Sequence, residues 1–181
     1  PEVTVNLDLS DRLVDLVNEG IDCAIRVGEL TDSSLVSIRL AENRRVVVAS
    51  PDYLARQDTP RTLADLARHN CLSLGQQRGW LFRDGAENVS IKVSGLLECN
   101  DGAVLHEWAL AGRGLAWRSL WEVGEDLQRG VLVSVLDEFA ALPTGIHAVF
   151  PQRKYLPLRV RLLIDHLKHH YGNEAYWGGA H

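Results

Sequence analysis

VTVNLDLSDRLVDLVNEGIDCAIRV (residues 3–27) contains the pattern that decides the fold class. Apolar and polar residues alternate over residues 3–9, as in a strand with one buried face. The residues that follow can form a helix, which Gly20 can end in a left-handed conformation. Residues 21–27 then form a second strand. Strand, helix and strand in this order predict a βαβ unit with a parallel sheet, and therefore an α/β fold.

The rest of the chain continues this alternation of elements. A turn at Asp84 and Gly85 predicts a hairpin within a small central sheet. The last predicted element, a helix over residues 158–171, has one apolar stripe. Further strands are predicted at residues 45–49, 115–117, 131–136 and 145–150, and a helix is predicted at residues 100–111.

Composition excludes several classes of protein. The chain has 181 residues, of which 46% are hydrophobic and 24% charged, and its formal net charge is -5. This apolar content excludes intrinsic disorder, and no apolar run is long enough to cross a membrane. The acidic balance argues against nucleic-acid binding by this chain itself. Because the sequence begins at Pro1 and contains no Met, we expect further segments before it.

Few residues suggest catalysis or metal binding. The sequence contains no GxSxG, GK[ST] phosphate loop, HExxH or GxGxxG motif. His166, His169 and His170 could share a cation, but histidines in the last turn of a helix are more often solvated. We therefore predict no enzyme, cofactor or metal site.

The three cysteines are widely spaced and lack a CxxC pair. Cys23, Cys71 and Cys99 therefore indicate buried thiols in a reducing compartment, which favours a cytoplasmic protein.

Arg26 is a candidate ligand residue because it ends a strand of the predicted parallel sheet. Ligands of such sheets bind beyond the carboxyl ends of the strands. The alternative is a surface salt bridge between Arg26 and Asp22 or Glu29.

Two further positions have the same character. Asn100 and Asp101 begin a helix whose unpaired backbone N–H groups could bind a ligand, although a plain helix cap is the alternative. Trp117 and Arg118 follow another short strand and would place an aromatic ring and a guanidinium at one edge, although a Trp there is more often part of the core.

Four stretches of the chain resemble the effector-binding (regulatory) domain of LysR-type transcriptional regulators. The resemblance covers nearly the whole chain and is strongest around DLVNEGIDCAIRVGEL and ASPDYL. The stretches are residues 10–54, 63–72, 100–116 and 146–167.

The resemblance implies a periplasmic-binding-protein-like fold of two lobes, each a mixed sheet flanked by helices, joined by two crossover strands. Lobe one would contain residues 1–48 and 147–181, and lobe two residues 49–146. The family also has an N-terminal winged helix-turn-helix and a first strand and helix of lobe one, which we expect to precede this chain.

The resemblance also implies a small-molecule effector that binds between the lobes and changes the geometry of a dimer or tetramer. Promoter DNA would be bound only through the N-terminal domain, and no membrane would be involved. A carboxylate effector suits the two arginines. The implied effector-binding residues are Arg26, Gly28, Glu29, Leu74, Asn100, Asp101, Trp117 and Arg118.

Two other functions share this scaffold. A solute-binding protein of a transport system would carry a signal peptide, and its compartment would oxidise the three thiols. An enzyme would need a catalytic acid, base or metal in the cleft, where Glu29, Asp101 and two arginines suit recognition better than turnover.

Overall fold

The computed structural model describes residues 3–9, 14–28, 35–75, 79–151 and 156–171, which form two compact units. Unit 1 contains the described residues up to Asn43 and from Pro143 onward, and unit 2 is Arg44–Leu142. The chain therefore crosses between the units twice, at 43–44 and at 142–143. The lobe boundaries that we expected lie a few residues further along the chain and stay a prediction.

The described residues form strands and helices that we number in chain order. The strands are β1 (Ala24–Val27), β2 (Leu35–Asn43), β3 (Arg45–Ala49), β4 (Cys71–Leu74), β5 (Gly79–Asp84), β6 (Glu87–Lys92), β7 (Glu98–Cys99), β8 (Leu115–Ser119), β9 (Val133–Val135) and β10 (Thr144–Pro151). The α-helices are α1 (Pro51–Gln57), α2 (Gly102–Leu110), α3 (Leu120–Gln128) and α4 (Leu158–Tyr171), with short 3-10 helices at Leu63–Arg68 and Asp137–Phe139.

Unit 1 is an antiparallel sheet in the order β1-β10-β2, with α4 packed on one face. The apolar core between sheet and helix includes Ile146, Ala148 and Phe150 of β10 and Val160 and Ile164 of α4. This core confirms the amphipathic helix predicted at the end of the chain.

The βαβ unit predicted for residues 3–27 is wrong. Residues 3–9 are exposed and form no strand, and β1 pairs antiparallel with β10. Alternation marks a face that could be buried, but none of the described strands pairs with these residues. Of the predicted helix, residues 10–13 lie outside the described residues, and residues 16–20 form turns. Gly20 does adopt the predicted left-handed conformation, with φ 70°.

Unit 2 contains a mixed sheet in the order β7-β4-β8-β3-β9. β4 runs parallel to β7 and β8, whereas β3 is antiparallel to β8 and β9. α2 and α3 cover one face, and α1, the 3-10 helix at Leu63–Arg68 and the predicted hairpin β5–β6 cover the other. This unit confirms the predicted α/β class. Because β4, β7 and β8 are parallel, their carboxyl ends meet at one edge of the sheet.

Candidate functional site

The carboxyl edge of the unit 2 sheet brings four of the predicted residues together. Leu74 ends β4, Asn100 and Asp101 follow β7, and Arg118 lies near the end of β8. Leu74 is half-buried and packs into the core beneath α2 and α3, so its side chain supports the edge. Asn100 and Asp101 are exposed and lie at the surface of this edge.

The amino end of α2 is already capped. The Asp101 carboxylate accepts the N–H groups of Ala103 and Val104 at 2.8 and 3.3 Å. Our expectation that this helix offers unpaired N–H groups is therefore wrong for these two donors, because the side chain that precedes the helix binds them first. The Cys99 thiol also donates to the carbonyl oxygen of Asp101, at 3.1 Å, which ties the cap to the end of β7.

Arg118 is a buried cation at this edge. Its side chain is 7% exposed, and its Nη2 lies 2.8 Å from Oε2 of Glu122 in the first turn of α3. The guanidinium packs against Gly102, because a Cβ on that residue would lie 2.5 Å from Nη2. The Nε atom is buried and has no hydrogen-bond partner among the described residues. A guanidinium whose donors are not all used retains the capacity to bind an oxyanion.

Trp117 and Arg118 lie at the same end of β8, but their side chains are on opposite faces of the sheet and not side by side as we expected. Consecutive side chains of a strand point to opposite faces of the sheet. Trp117 packs with the core beneath α1, whereas the preceding Ala116 packs beneath α2. The guanidinium of Arg45 lies 4.5 Å from the centre of the Trp117 ring. The indole is thus held by a cation–π contact on the face that Arg118 does not occupy.

Unit 1 contributes Arg26 and Gly28. Arg26 is half-buried, and its Nη2 donates to the carbonyl oxygen of Val14 at 2.7 Å. The alternative salt bridge between Arg26 and Asp22 is not seen among the described residues, and the Asp22 carboxylate binds Arg159 at 3.2 Å. Gly28 has φ 106° and donates its N–H to Gly145 at 2.9 Å. Glu29 lies outside the described residues.

Several residues of these two edges were not predicted from the sequence. Glu122 was detectable, because Ser119 and Glu122 have the spacing of a capping box. In the structure, the Ser119 N–H donates to the Glu122 carboxylate at 3.2 Å. The contact between Gly102 and the Arg118 guanidinium was not detectable, because it joins two different elements, α2 and β8. The same holds for His147, which lies opposite Arg26 in the β1–β10 pair.

The remaining predictions concern thiols, metals and membranes. All three cysteines are free, and Cys71 is fully buried whereas Cys23 and Cys99 are half-buried. The centres of the exposed His166 and His170 rings lie 4.3 Å apart. In the described ranges, however, no group of three or more metal-binding side chains is placed to hold an ion. None of the described helices is long and apolar enough to span a bilayer.

The family follows from comparison with known proteins. A family model, the LysR substrate binding domain, matches residues 1–172. The chain belongs to the LysR substrate binding domain family. This confirms the family resemblance that was noted in the sequence.

Relatives of this LysR substrate binding domain are transcriptional regulators. The regulator DmlR of Escherichia coli is 37% identical over 175 residues, which is 94% of this chain and 57% of DmlR. CrgA of Neisseria meningitidis is 33% identical over 177 residues, which is 96% of this chain and 59% of CrgA. The chain thus spans somewhat more than half the length of the curated relatives that it matches. Because the relatives are named as regulators, the prediction that the domain is not an enzyme is confirmed.

Solved structures confirm the fold class. The regulatory domain of CrgA superposes with a TM-score of 0.74 at 32% identity, over 84% of this chain and 76% of that domain. Full-length AphB, the Vibrio cholerae virulence activator, gives a TM-score of 0.80 at 26% identity, over 94% of this chain and 59% of AphB. The LysR substrate binding domain therefore has the α/β, two-lobed, periplasmic-binding-protein-like fold that the resemblance implied.

Proposed function

We propose that this domain is the effector-sensing part of a LysR-type regulator. A small-molecule effector binds in the cleft between the lobes and changes the geometry of a dimer or tetramer, which controls transcription. Promoter DNA is bound by an N-terminal winged helix-turn-helix of the whole regulator, in the cytoplasm, rather than by this acidic chain. The family membership and the regulatory relatives support this proposal.

One observation carries the assignment of the site. In each unit, the chain passes to the other unit at one end of the sheet. A predicted arginine lies near that end, Arg118 in unit 2 and Arg26 in unit 1. Arg118 pairs with Val46, which lies two residues beyond the crossover at Arg44. Arg26 pairs with His147, four residues beyond the crossover at Pro143. Ligand sites of α/β folds lie at such strand ends, so these two positions are the ones that an effector would contact.

The chemistry of both positions favours an acidic effector. A guanidinium binds a carboxylate through two parallel hydrogen bonds, which gives orientation as well as affinity. The effector can shift the regulator between two arrangements only by the difference in its affinity for them, which is about 1–3 kcal/mol for typical allosteric coupling.

The first test is a calorimetric titration of the domain with a panel of mono- and dicarboxylic acids. We expect one acid to bind saturably and to raise the melting temperature, and Arg26→Gln to weaken that binding about tenfold or more. Arg161→Gln is the matched control, because Arg161 is exposed on α4 and faces Asp165 at 3.9 Å. Equal losses in both variants would contradict the site.

The second test uses the full-length regulator and its operator. The acid that binds the domain is expected to change operator affinity and the solution scattering profile of the oligomer. If the acid binds but both readouts stay the same, the regulatory role is wrong even though the ligand site exists.

A further inference from the structure

Three nitrogen-bearing side chains form a row across the sheet of unit 1. His147 of β10 pairs with Arg26 of β1 on one side and with Arg39 of β2 on the other. Directly paired residues of neighbouring strands point to the same face of a sheet. The next row, Ile38 and Ala148, packs towards α4, so the basic row lies on the opposite face. A register shift between Ile146 and His147 places Arg39 in this row.

The imidazole ring of His147 packs closely against Gly145. A Cβ on Gly145 would lie 2.1 Å from Cε1 and 2.6 Å from Nε2 of the ring. The ring therefore lies over Gly145, on the side of the row that leads to the crossover at Pro143. Its Nδ1 is buried and has no hydrogen-bond partner in the part of the chain that the structure describes. A buried polar atom without a partner is costly, and a ligand atom would relieve that cost.

Among the described residues, the charges around this ring are unbalanced. Like charges on neighbouring strands repel each other. The described residues give the row one ion pair, between Arg39 and Glu42 at 3.5 Å, and both side chains are more than half exposed. Arg26 uses one of its five N–H donors on the Val14 carbonyl, which fixes the guanidinium in place.

We infer that Arg26, His147 and Arg39 form an oxyanion site on unit 1 that binds a carboxylate group of the effector. Arg26 supplies the fixed guanidinium, and His147, held by Gly145, supplies a hydrogen bond from the centre of the row. Arg39 adds charge and can exchange Glu42 for the ligand. This inference rests on the proposed function, because it assigns the unit 1 residues that would hold an acidic effector.

The test is an NMR titration of the domain with succinate, using acetate and inorganic phosphate as further probes. We expect saturable shifts of the backbone amides of Arg26, Gly145 and His147 with the carboxylates. His147→Phe and Arg26→Gln are each expected to weaken binding about tenfold or more. Gly145→Ala keeps every donor but displaces the ring, so it should weaken binding as His147→Phe does. Circular dichroism shows whether each variant is folded, and Arg161→Gln is the control on α4.

The outcomes separate this site from the proposed function. Absence of saturable shifts, tighter binding of phosphate than of succinate, or wild-type affinity in both His147→Phe and Gly145→Ala would overturn the oxyanion site. If an effector from the calorimetric panel changes operator affinity and its binding is unaffected by these two variants, the regulator stands and the site is wrong. If succinate binds as expected but no effector alters operator affinity, the site stands and the regulator is wrong.

Discussion

Nη2 of Arg118 lies 2.8 Å from Oε2 of Glu122, so one ion pair joins the end of β8 to the first turn of α3. The guanidinium is 7% exposed and the carboxylate 22%. Removal of one partner from such a pair leaves the other charge desolvated without compensation. The pair therefore fixes the edge of the unit 2 sheet at which the predicted effector residues lie.

The first prediction concerns this pair. Glu122→Gln should lower the free energy of unfolding by about 2–3 kcal/mol, because Arg118 stays buried without its counter-charge. Glu125→Gln, an exposed position on the same helix, should change it by less than about 0.5 kcal/mol. Urea denaturation measures both, and equal effects of the two substitutions would show that the pair does not stabilise the fold.

A second prediction tests the contact between Arg118 and Gly102. A Cβ on Gly102 would lie 2.5 Å from Nη2, and the buried guanidinium has little space to move. Gly102→Ala should therefore destabilise the domain by about 1–3 kcal/mol. In an Arg118→Met background the same substitution should cost much less, because alanine is otherwise the better helix residue. A cost that is the same in both backgrounds would contradict the proposed contact.

The helix cap provides a third prediction. Asp101→Ala removes the acceptor for the N–H groups of Ala103 and Val104 and should cost about 1 kcal/mol. Asp101→Asn keeps an acceptor oxygen and should retain most of the stability. Thermal unfolding distinguishes the two variants, and the cap has no role if they melt together at the lower temperature.

The fourth prediction is a pH dependence of stability. Burial, and then the neighbouring Arg68 charge, lower the pKa of His69 below its usual value. Its Nδ1 lies 3.1 Å from the Tyr53 hydroxyl, which also accepts the Asn70 N–H at 3.0 Å and therefore donates to a neutral imidazole.

The unfolded chain takes up this proton near pH 6.5, whereas the folded chain resists it. The contribution of neutral His69 to the free energy of unfolding is therefore complete above about pH 6.5. It decreases as the pH falls towards the lowered pKa of His69 in the folded chain. His69→Gln should lose less stability than the wild type between about pH 7.5 and 5.5. If the free energy of unfolding changes equally with pH in the wild type and in His69→Gln, this role of His69 is contradicted.

The fifth prediction concerns thiol reactivity. Burial raises the pKa of Cys71 to about 12, and the thiolate is the form that reacts with alkylating reagents. We expect iodoacetamide to label Cys71 more slowly than the half-buried Cys99 in the native protein. Cys71 labelling should then rise with urea along the unfolding curve. Peptide mass spectrometry measures both rates, and fast native labelling of Cys71 would disprove its protection.

The candidate residues of unit 2 were more predictable than those of unit 1. Asn100 and Asp101 directly follow β7, and Arg118 lies near the end of β8, so local patterns along the chain are enough to locate these positions. The pairing of Trp117 with Arg118 failed because adjacent strand residues face opposite ways, a rule of the pleat that the sequence already contains.

His147 could not be placed beside Arg26 and Arg39 from the sequence. His147 lies more than a hundred positions along the chain from both arginines, and a register shift between Ile146 and His147 decides which residue of β2 joins the row. Alternation of apolar residues gives the face of a strand but neither its neighbours nor its register. The failed strand over residues 3–9 has the same cause.

β2 and β10 are paired from Asn43 and Thr144 to Leu35 and Pro151, so unit 2 is inserted where a hairpin would have its turn. Closing so long an open loop costs entropy, and contacts between distant residues slow folding. Once unit 2 has folded, its two ends are already adjacent, and β10 can join β2 as in a short hairpin. We therefore expect that the inserted unit folds first and that the unit 1 sheet closes last, after β10 has left the ribosome.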